Sequence, residues 1–431
     1  MSVLLLYALN ITSRLAYIVN TLFDKDAVLT TDLNEFLSFT GARINYTPQR
    51  ITANELWICP YGLLDEKNIH HQQIVCFEWN GLKAFFRTGG DIPFDILSAS
   101  FYLISRYEEY LPYVTDEYGR YAHTNSLAFK ENFLHLPLIN LWLKELEKLL
   151  SNRFSSAIIS QSSFAFIPTY DIDIAYSYQH KGLVRNVLGF CKDIVTLNIN
   201  KVKERIAVLS NKRPDPYDVY SELNELHEET HITPLYFFLL AEKTKLYDRN
   251  IDPCNEAMHA LIKQHAALYK VGIHPSWQSG DDEQLLKEEI DSLGKILETG
   301  ITISRQHYIR MRFPETYQKL IANDIREDFS MGYGSINGFR ASICNAFLWY
   351  DLKNEQSSNL LIHPFCFMDA NACFEQKLTA EQASHELQQY FDIVKSAGGE
   401  MITIFHNNFL TQQKQWIKWS EMYAAFLRKN L

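Results

Sequence analysis

From residue 234 onward, short apolar runs and longer amphipathic stretches take turns along the chain. The runs at 235–240, 270–273, 301–304, 329–331, 360–362 and 401–405 are too short for helices and end at polar or turn-forming residues, so each reads as a strand. Between them, 255–268, 283–297 and 314–322 repeat their apolar positions at three- and four-residue spacing, the stripe of a helix lying on a core. A further stripe, Ala383, Leu387, Phe391 and Val394, precedes the last run. Residues 164–167 form another run, stopping at Pro168 and Thr169 with Asp171 and Asp173 just beyond. With it, about seven strands alternate with helices, which means parallel strands joined by right-handed crossovers. The expected fold class is α/β, with a distorted (β/α)7 barrel as its closure.

Residues 1–157 carry a different pattern and read as a smaller α/β domain ahead of a barrel domain at 158–431. Strands are expected at 3–9, 43–46, 55–59, 73–79 and 82–87, and helices at 11–23, 94–110 and 138–150. Arg106, Glu108 and Glu109 fall at the end of the second of these helices and read as ion pairs on a solvated or interface face. The Ser-rich stretch 151–161 is the expected linker. Residues 175–224 show no strand pattern and are expected to form a helical insertion at the barrel mouth. Lys201, Lys203, Arg205, Lys212 and Arg213 would lie on its wet surface.

Composition narrows the function classes. A chain of 431 residues, 47% hydrophobic and 21% charged, can bury two cores, and its 13% aromatic content is compatible with sugar stacking. A formal net charge of −10 argues against nucleic acid and against an anionic membrane surface as partners. No apolar stretch approaches the roughly 18 residues of a membrane span. Residues 1–9 lack a basic region and a cleavage site and read as a first strand rather than a signal peptide. Seven cysteines without a C-x-x-C pair are expected to be reduced thiols, so the expected location is cytoplasmic.

In a barrel of this kind chemistry sits at the carboxyl ends of the strands. The first polar residues there are Asp171 and Asp173; His274 with Ser276 and Trp277; Arg305, Gln306 and His307; Asp328 or Ser330; His363; and His406 with Asn407 and Asn408. Asp and His around one cavity are the ligand set of a divalent transition metal with open water positions. Two carboxylates at one mouth suit a metal ligand beside a general base.

Thr169-Tyr-Asp-Ile-Asp173, Gly272-Ile-His274, Arg305-Gln-His-Tyr308 and Ile404-Phe-His406 resemble, in order and strand position, motifs one, two, three and five of the polysaccharide deacetylase (NodB-like) family. Thr233-Pro-Leu-Tyr-Phe-Phe238 resembles its second strand, and the likeness spans about residues 160–431. It implies a barrel holding a divalent metal of zinc type, with Asp171 as general base, Asp173 and His274 as metal ligands, Arg305 orienting the base and His406 as general acid. The implied activity removes an N-acetyl group from a carbohydrate in bacterial glycan or cell-envelope metabolism.

Two departures stand out. Motif one reads Asp-x-Asp rather than adjacent carboxylates, and Gln278 stands where the family's second motif carries a second histidine. His307 is the expected replacement ligand. His406 is expected across the mouth from Asp171, and Trp277, Tyr308 and Arg340 are the expected sugar contacts. The absent histidine leaves open a barrel that binds carbohydrate without metal or chemistry. A third reading takes Asp171-Ile-Asp173 as the Asp-x-Asp of a nucleotide-sugar transferase, but residues 1–157 contain no G-x-G-x-x-G.

Overall fold

The computed structural model describes residues 4–154, 163–242 and 247–431. β1 (Leu4–Ala8) is buried along its length, as an apolar run without alternation requires when both faces of a sheet are covered. The helix Ser13–Phe23 is capped by Thr12, whose side chain accepts from the Leu15 amide, and leads to β2 (Ala27–Thr30), parallel to β1. β3 (Arg43–Tyr46) and β4 (Leu56–Trp57) complete a parallel sheet of order β2-β1-β3-β4. β5 (Phe77–Trp79) and β6 (Leu82–Ala84) form a hairpin through Asn80-Gly81, where φ angles of 51° and 77° suit a type I′ turn.

The helix expected at 94–110 ends early, as Ile96–Ile104, because Arg106 takes a left-handed backbone with φ 54°. Arg106, Glu108 and Glu109 are buried, not solvated. Arg106 holds both carboxylates at 2.8 Å, and Glu109 accepts from Arg340 Nε at 2.8 Å. A lone charge at that depth would cost several kcal/mol, so the cluster closes on itself and ties residues 106–109 to the loop carrying Arg340. The helix Leu138–Arg153 follows, and most of the expected linker lies outside the described residues.

The second sheet begins at β7 (Ala165–Ile172). Parallel to it run β8 (Leu235–Leu239), β9 (Lys270–His274), β10 (Ile303–Ser304) and β11 (Glu327–Asp328). β13 (Gln356–Ile362), β14 (Phe365–Met368) and β15 (Glu400–His406) share that direction, and β12 (Phe347–Asp351) is antiparallel to β13. The order is β12-β13-β11-β10-β9-β8-β7-β15-β14, and among the described residues no ladder joins β14 back to β13. The crossovers include the helices Tyr220–Thr230, Glu256–Ala266, Glu283–Leu297, Glu315–Ala322 and Ala380–Ala397.

Several strand boundaries differ from the sequence pattern: β4, β5 and β10 are shorter than expected, and β13 begins four residues earlier. β7 runs on past Pro168, because Asp171 pairs with Phe237 on one side and His406 on the other. β11 lies before 329–331, and Phe329 leaves the sheet to stack on His363 with ring centroids 4.3 Å apart. β2, β12 and β14 are additional strands. Gly272 in β9 permits a close approach: a Cβ there would lie 2.7 Å from the Phe237 ring and 2.9 Å from the Ile303 carbonyl oxygen.

The insertion forms two helices, Gly182–Val195 and Ile199–Leu209. Most buried apolar residues of the two larger sheets belong to one continuous cluster, while Leu5, Tyr7 and Phe36 form a second, smaller one. Among the described residues no helix is long and apolar enough to cross a membrane.

Candidate active site

Four strand ends open on one pocket of about 300 Å³, lined by Asp171, Asp173, His274, His307, Tyr308 and His406 among others. β7 supplies Asp171 and, one residue past its end, Asp173; positions i and i+2 of an extended chain share a face, so both carboxylates point the same way. β9 ends in His274 and β15 in His406, while Arg305 and His307 follow β10. His406 does not lie across the mouth from Asp171, because the two residues are paired neighbours in the β15–β7 register.

Each imidazole is fixed through Nδ1. His274 Nδ1 donates to the Arg305 carbonyl at 2.5 Å, His307 Nδ1 to Asp248 at 2.8 Å and His406 Nδ1 to Asp369 at 2.7 Å. All three Nε2 atoms then face the Asp173 carboxylate, at 3.2, 3.4 and 3.6 Å. An imidazole that donates from Nδ1 presents a lone pair at Nε2, and a lone pair facing a carboxylate oxygen is repulsive unless a proton or cation lies between. Asp173 Oδ1 is buried with no hydrogen bond among the described residues. Ligand atoms of Asp173, His274 and His307 all lie within 4.8 Å of one another, and the two rings are 4.9 Å apart. One carboxylate and two imidazoles in that arrangement fit a divalent transition metal.

Without a cation, the charges redistribute by protonation. Burial pushes the His307 imidazole down, but Asp173 and Asp248 carry it up to about 9. His406 rises to about 10, because Asp369 and then Asp173 outweigh burial. Burial alone would raise the Asp173 carboxyl, and His307 and its neighbouring imidazoles hold it well below the usual carboxylate range.

Arg305 is fully buried behind Asp171. Its Nη1 donates to Asp171 Oδ1 at 2.8 Å and to Thr169 Oγ1 at 2.6 Å, and its Nε donates to the Phe329 carbonyl at 3.0 Å. The guanidinium lies 4.3 Å from the Phe237 ring centre, over the ring that Gly272 makes room for. Tyr308 and Ile309 both have positive φ, 58° and 54°, which costs non-glycine residues about 1–3 kcal/mol each. That turn sets the Tyr308 ring 4.7 Å from His307.

Other sequence candidates lie elsewhere. Arg340 is not at the mouth: it is buried, donates to Glu109 and to the Gly332 carbonyl at 2.9 Å, and braces the ion cluster. Trp277 stands outside the pocket lining, with the Tyr247 ring 5.1 Å from it and 5.0 Å from Tyr308. Asp328 accepts from the Ser304 and Ser330 hydroxyls, and His363 sits between Glu327 and Glu400.

Asp248, Asp369, Tyr118 and Arg120 escape the sequence pattern. Asp369 closes the run Phe365–Met368 much as Asp171 and Asp173 close theirs, and that signal could have found it. Asp248 lies in a loop without periodicity. Gln278, at the position of the absent histidine, donates to Asp248 Oδ2 at 3.0 Å, and the Trp277 amide donates to Oδ1 at 2.8 Å. These residues hold Asp248, which holds His307. Tyr118 and Arg120 reach the pocket wall from the amino-terminal unit, and Arg120 donates to the carbonyls of Tyr308 and Gly334 at 2.9 and 3.0 Å.

Residues 4–155 match a family described as of unknown function, DUF7033. No curated protein matches the chain. Among solved structures, one described as a polysaccharide deacetylase from Mycobacterium smegmatis is similar at 11% identity and a TM-score of 0.40, over 63% of this chain and 85% of that one. A polysaccharide deacetylase from Bacillus cereus is similar at 10% identity and a TM-score of 0.31, over 63% and 88%. One described as a polysaccharide deacetylase from Pseudomonas aeruginosa PAO1 is similar at 12% identity and a TM-score of 0.39, over 62% and 84%.

Proposed function

We propose that this chain is a metal-dependent hydrolase that removes N-acetyl or related acyl groups from an amino sugar in bacterial glycan or cell-envelope metabolism. In this reading the second sheet is a distorted (β/α)7 barrel of NodB-like type, and residues 1–157 are an accessory unit that walls one side of the pocket. The observation that carries it is the convergence of Asp173, His274 and His307 beside the Asp171–Arg305 pair. Asp173, His274 and His307 hold a divalent cation, zinc by donor type. Such a cation, when bound, polarises an acyl carbonyl and lets a water give up its proton near neutral pH.

Asp171 is the general base. Arg305 occupies Oδ1 and fixes the carboxylate, leaving Oδ2 to accept the proton of the attacking water. As the acyl C–N bond breaks, His406 gives a proton from Nε2 to the leaving amine, while its Nδ1–H stays on Asp369. Tyr308, Phe374 and Phe409 offer ring faces to the sugar. The carbohydrate-binding alternative rests on the absent histidine, and His307 supplies an imidazole in its stead.

Acetate release from N-acetylglucosamine oligosaccharides, with metal content measured before and after chelation, tests this reading. Asp171→Asn should keep its fold and metal and lose about 10²–10⁴-fold in rate, since an amide cannot take the water's proton. Protein that takes up no stoichiometric transition metal, or an Asp171→Asn variant at the native rate, refutes it.

A further inference from the structure

The helix pair Gly182–Val195 and Ile199–Leu209 is built inside out. Polar side chains fill the seam: Arg205 donates to Asn186 Oδ1 at 3.1 Å and to Asp193 Oδ2 at 2.7 Å, and both acceptor residues are buried. Apolar side chains stand outside, with Leu183, Val184, Leu188, Val195, Leu197 and Ile199 between 60% and 81% exposed. Ten of the twenty-four large apolar side chains exposed among the described residues fall between 183 and 209. Single exposed leucines are ordinary, but a cluster of this density marks a surface that meets something apolar.

The charge of the segment says what that something is. Residues 181–213 carry eight Lys or Arg and two Asp or Glu, a net charge of +6 within a chain of −10. The overall charge points away from an anionic surface, and the local charge reverses it. Exposed apolar side chains flanked by cations, on helices too short to span a bilayer, are the composition of an element that lies in the boundary of an anionic lipid layer. A two-fold contact between copies would instead lay the same positive patch against itself, which counts against a second copy as occupant.

The pair is anchored at the pocket end of the second sheet. Asn250 Nδ2 donates to the carbonyls of Ile172 and Leu239, the last residues of β7 and β8, at 3.0 Å each, and Arg185 Nη1 donates to the Asn250 carbonyl at 2.7 Å. We propose that residues 182–213 dock on an anionic bilayer surface, with the apolar side chains entering the headgroup boundary and the exposed Lys192, Lys201, Lys203, Lys212 and Arg213 meeting lipid phosphates. Carbohydrate presented at that surface then lies on the pocket side of the molecule. This last clause rests on the hydrolase reading, whereas the docking does not.

The full chain is sedimented with phosphatidylcholine vesicles containing phosphatidylglycerol, and with phosphatidylcholine vesicles alone. Binding to the anionic vesicles should be about tenfold stronger or more, as expected of a polybasic interfacial element. Lys201→Gln with Lys203→Gln should weaken it about 25-fold, from about 1 kcal/mol, or about fivefold, per basic residue. Leu188→Gln with Val195→Gln and Leu197→Gln should weaken binding to both vesicle types without lowering the melting temperature, since these side chains are exposed. Native protein that binds neither vesicle, or variants that bind as the native chain does, overturn the proposal. So does a native dimer, seen by sedimentation velocity, that the apolar variant dissociates while vesicles stay unbound. Vesicle binding without acetate release would refute the hydrolase reading alone.

Discussion

Replacing Asp248 by Asn isolates what holds the candidate metal site in register. Asp248 is fully buried and accepts from His307 Nδ1 at 2.8 Å, the Trp277 amide at 2.8 Å and Gln278 at 3.0 Å. Asparagine keeps an acceptor of the same size and removes the charge. Partners of metal-bound histidines typically set metal affinity by a factor of about 10–100, which is about 1.4–2.7 kcal/mol. A second effect runs the other way. His307, raised from 6.5 to about 9, must release its proton before Nε2 can take a cation. At pH 7 that release works against binding by about two pH units, on the order of a hundredfold in affinity. Asp248 is among the groups that raise His307, so the variant lowers this cost. The two effects oppose each other below about pH 9, and above it only the first remains. Asp248→Asn should therefore lose about 10–100-fold in zinc affinity above pH 9 and less at pH 7. Competition against a chromophoric chelator at both pH values measures this, with thermal melts to confirm folding. Equal affinities on the alkaline side, or a larger loss at pH 7, would refute the reasoning.

Asp369→Asn removes the neighbour that raises His406 most, so the basic limb of acetate release, where His406 loses its proton, should move to lower pH. A limb that stays in place takes the acid role from His406. Arg340→Met leaves the buried Glu109 with Arg106 as its remaining guanidinium, and should cost about 3–5 kcal/mol in denaturant unfolding with KM and kcat of the folded protein unchanged. Native stability with a raised KM would return Arg340 to the sugar.

Strand ends are legible in this chain wherever an apolar run stops at a chemically distinctive residue. Asp171, His274, Arg305 and His406 stand out for that reason, and the structure brings all four to one place. The pattern reads a strand only as far as residue 362, so the short run Phe365–Met368 beyond His363 and Pro364 goes unread, and Asp369 with it. Asp248 has no such marker, and its role depends on contacts to Trp277, Gln278 and His307 that lie 29 to 59 positions away. The Arg106 cluster looks like an exposed helical ion pair because its decisive partner, Arg340, is more than two hundred residues distant. Residues 175–224 read as helical because they show no strand pattern, and that reading does not say which way the apolar side chains between 183 and 209 face.

β12 is the last strand of its sheet, and an unpaired strand rim invites any other extended chain to join it. Here the helix Ser13–Phe23 acts as a stopper: the Tyr17 hydroxyl caps the Leu348 carbonyl at 2.7 Å, Ser13 meets the Tyr350 hydroxyl at 2.9 Å and Arg14 Nε grips Glu355 at 2.9 Å. Excision of everything before residue 163 would uncover that rim and strip both Arg340 and Glu355 of their counter-charges, so the severed piece would be sticky whatever chemistry it retained. The family match ends at residue 155, yet the buried Glu109–Arg340 pair reaches across that boundary, so cutting there would leave a charge without its partner inside the protein.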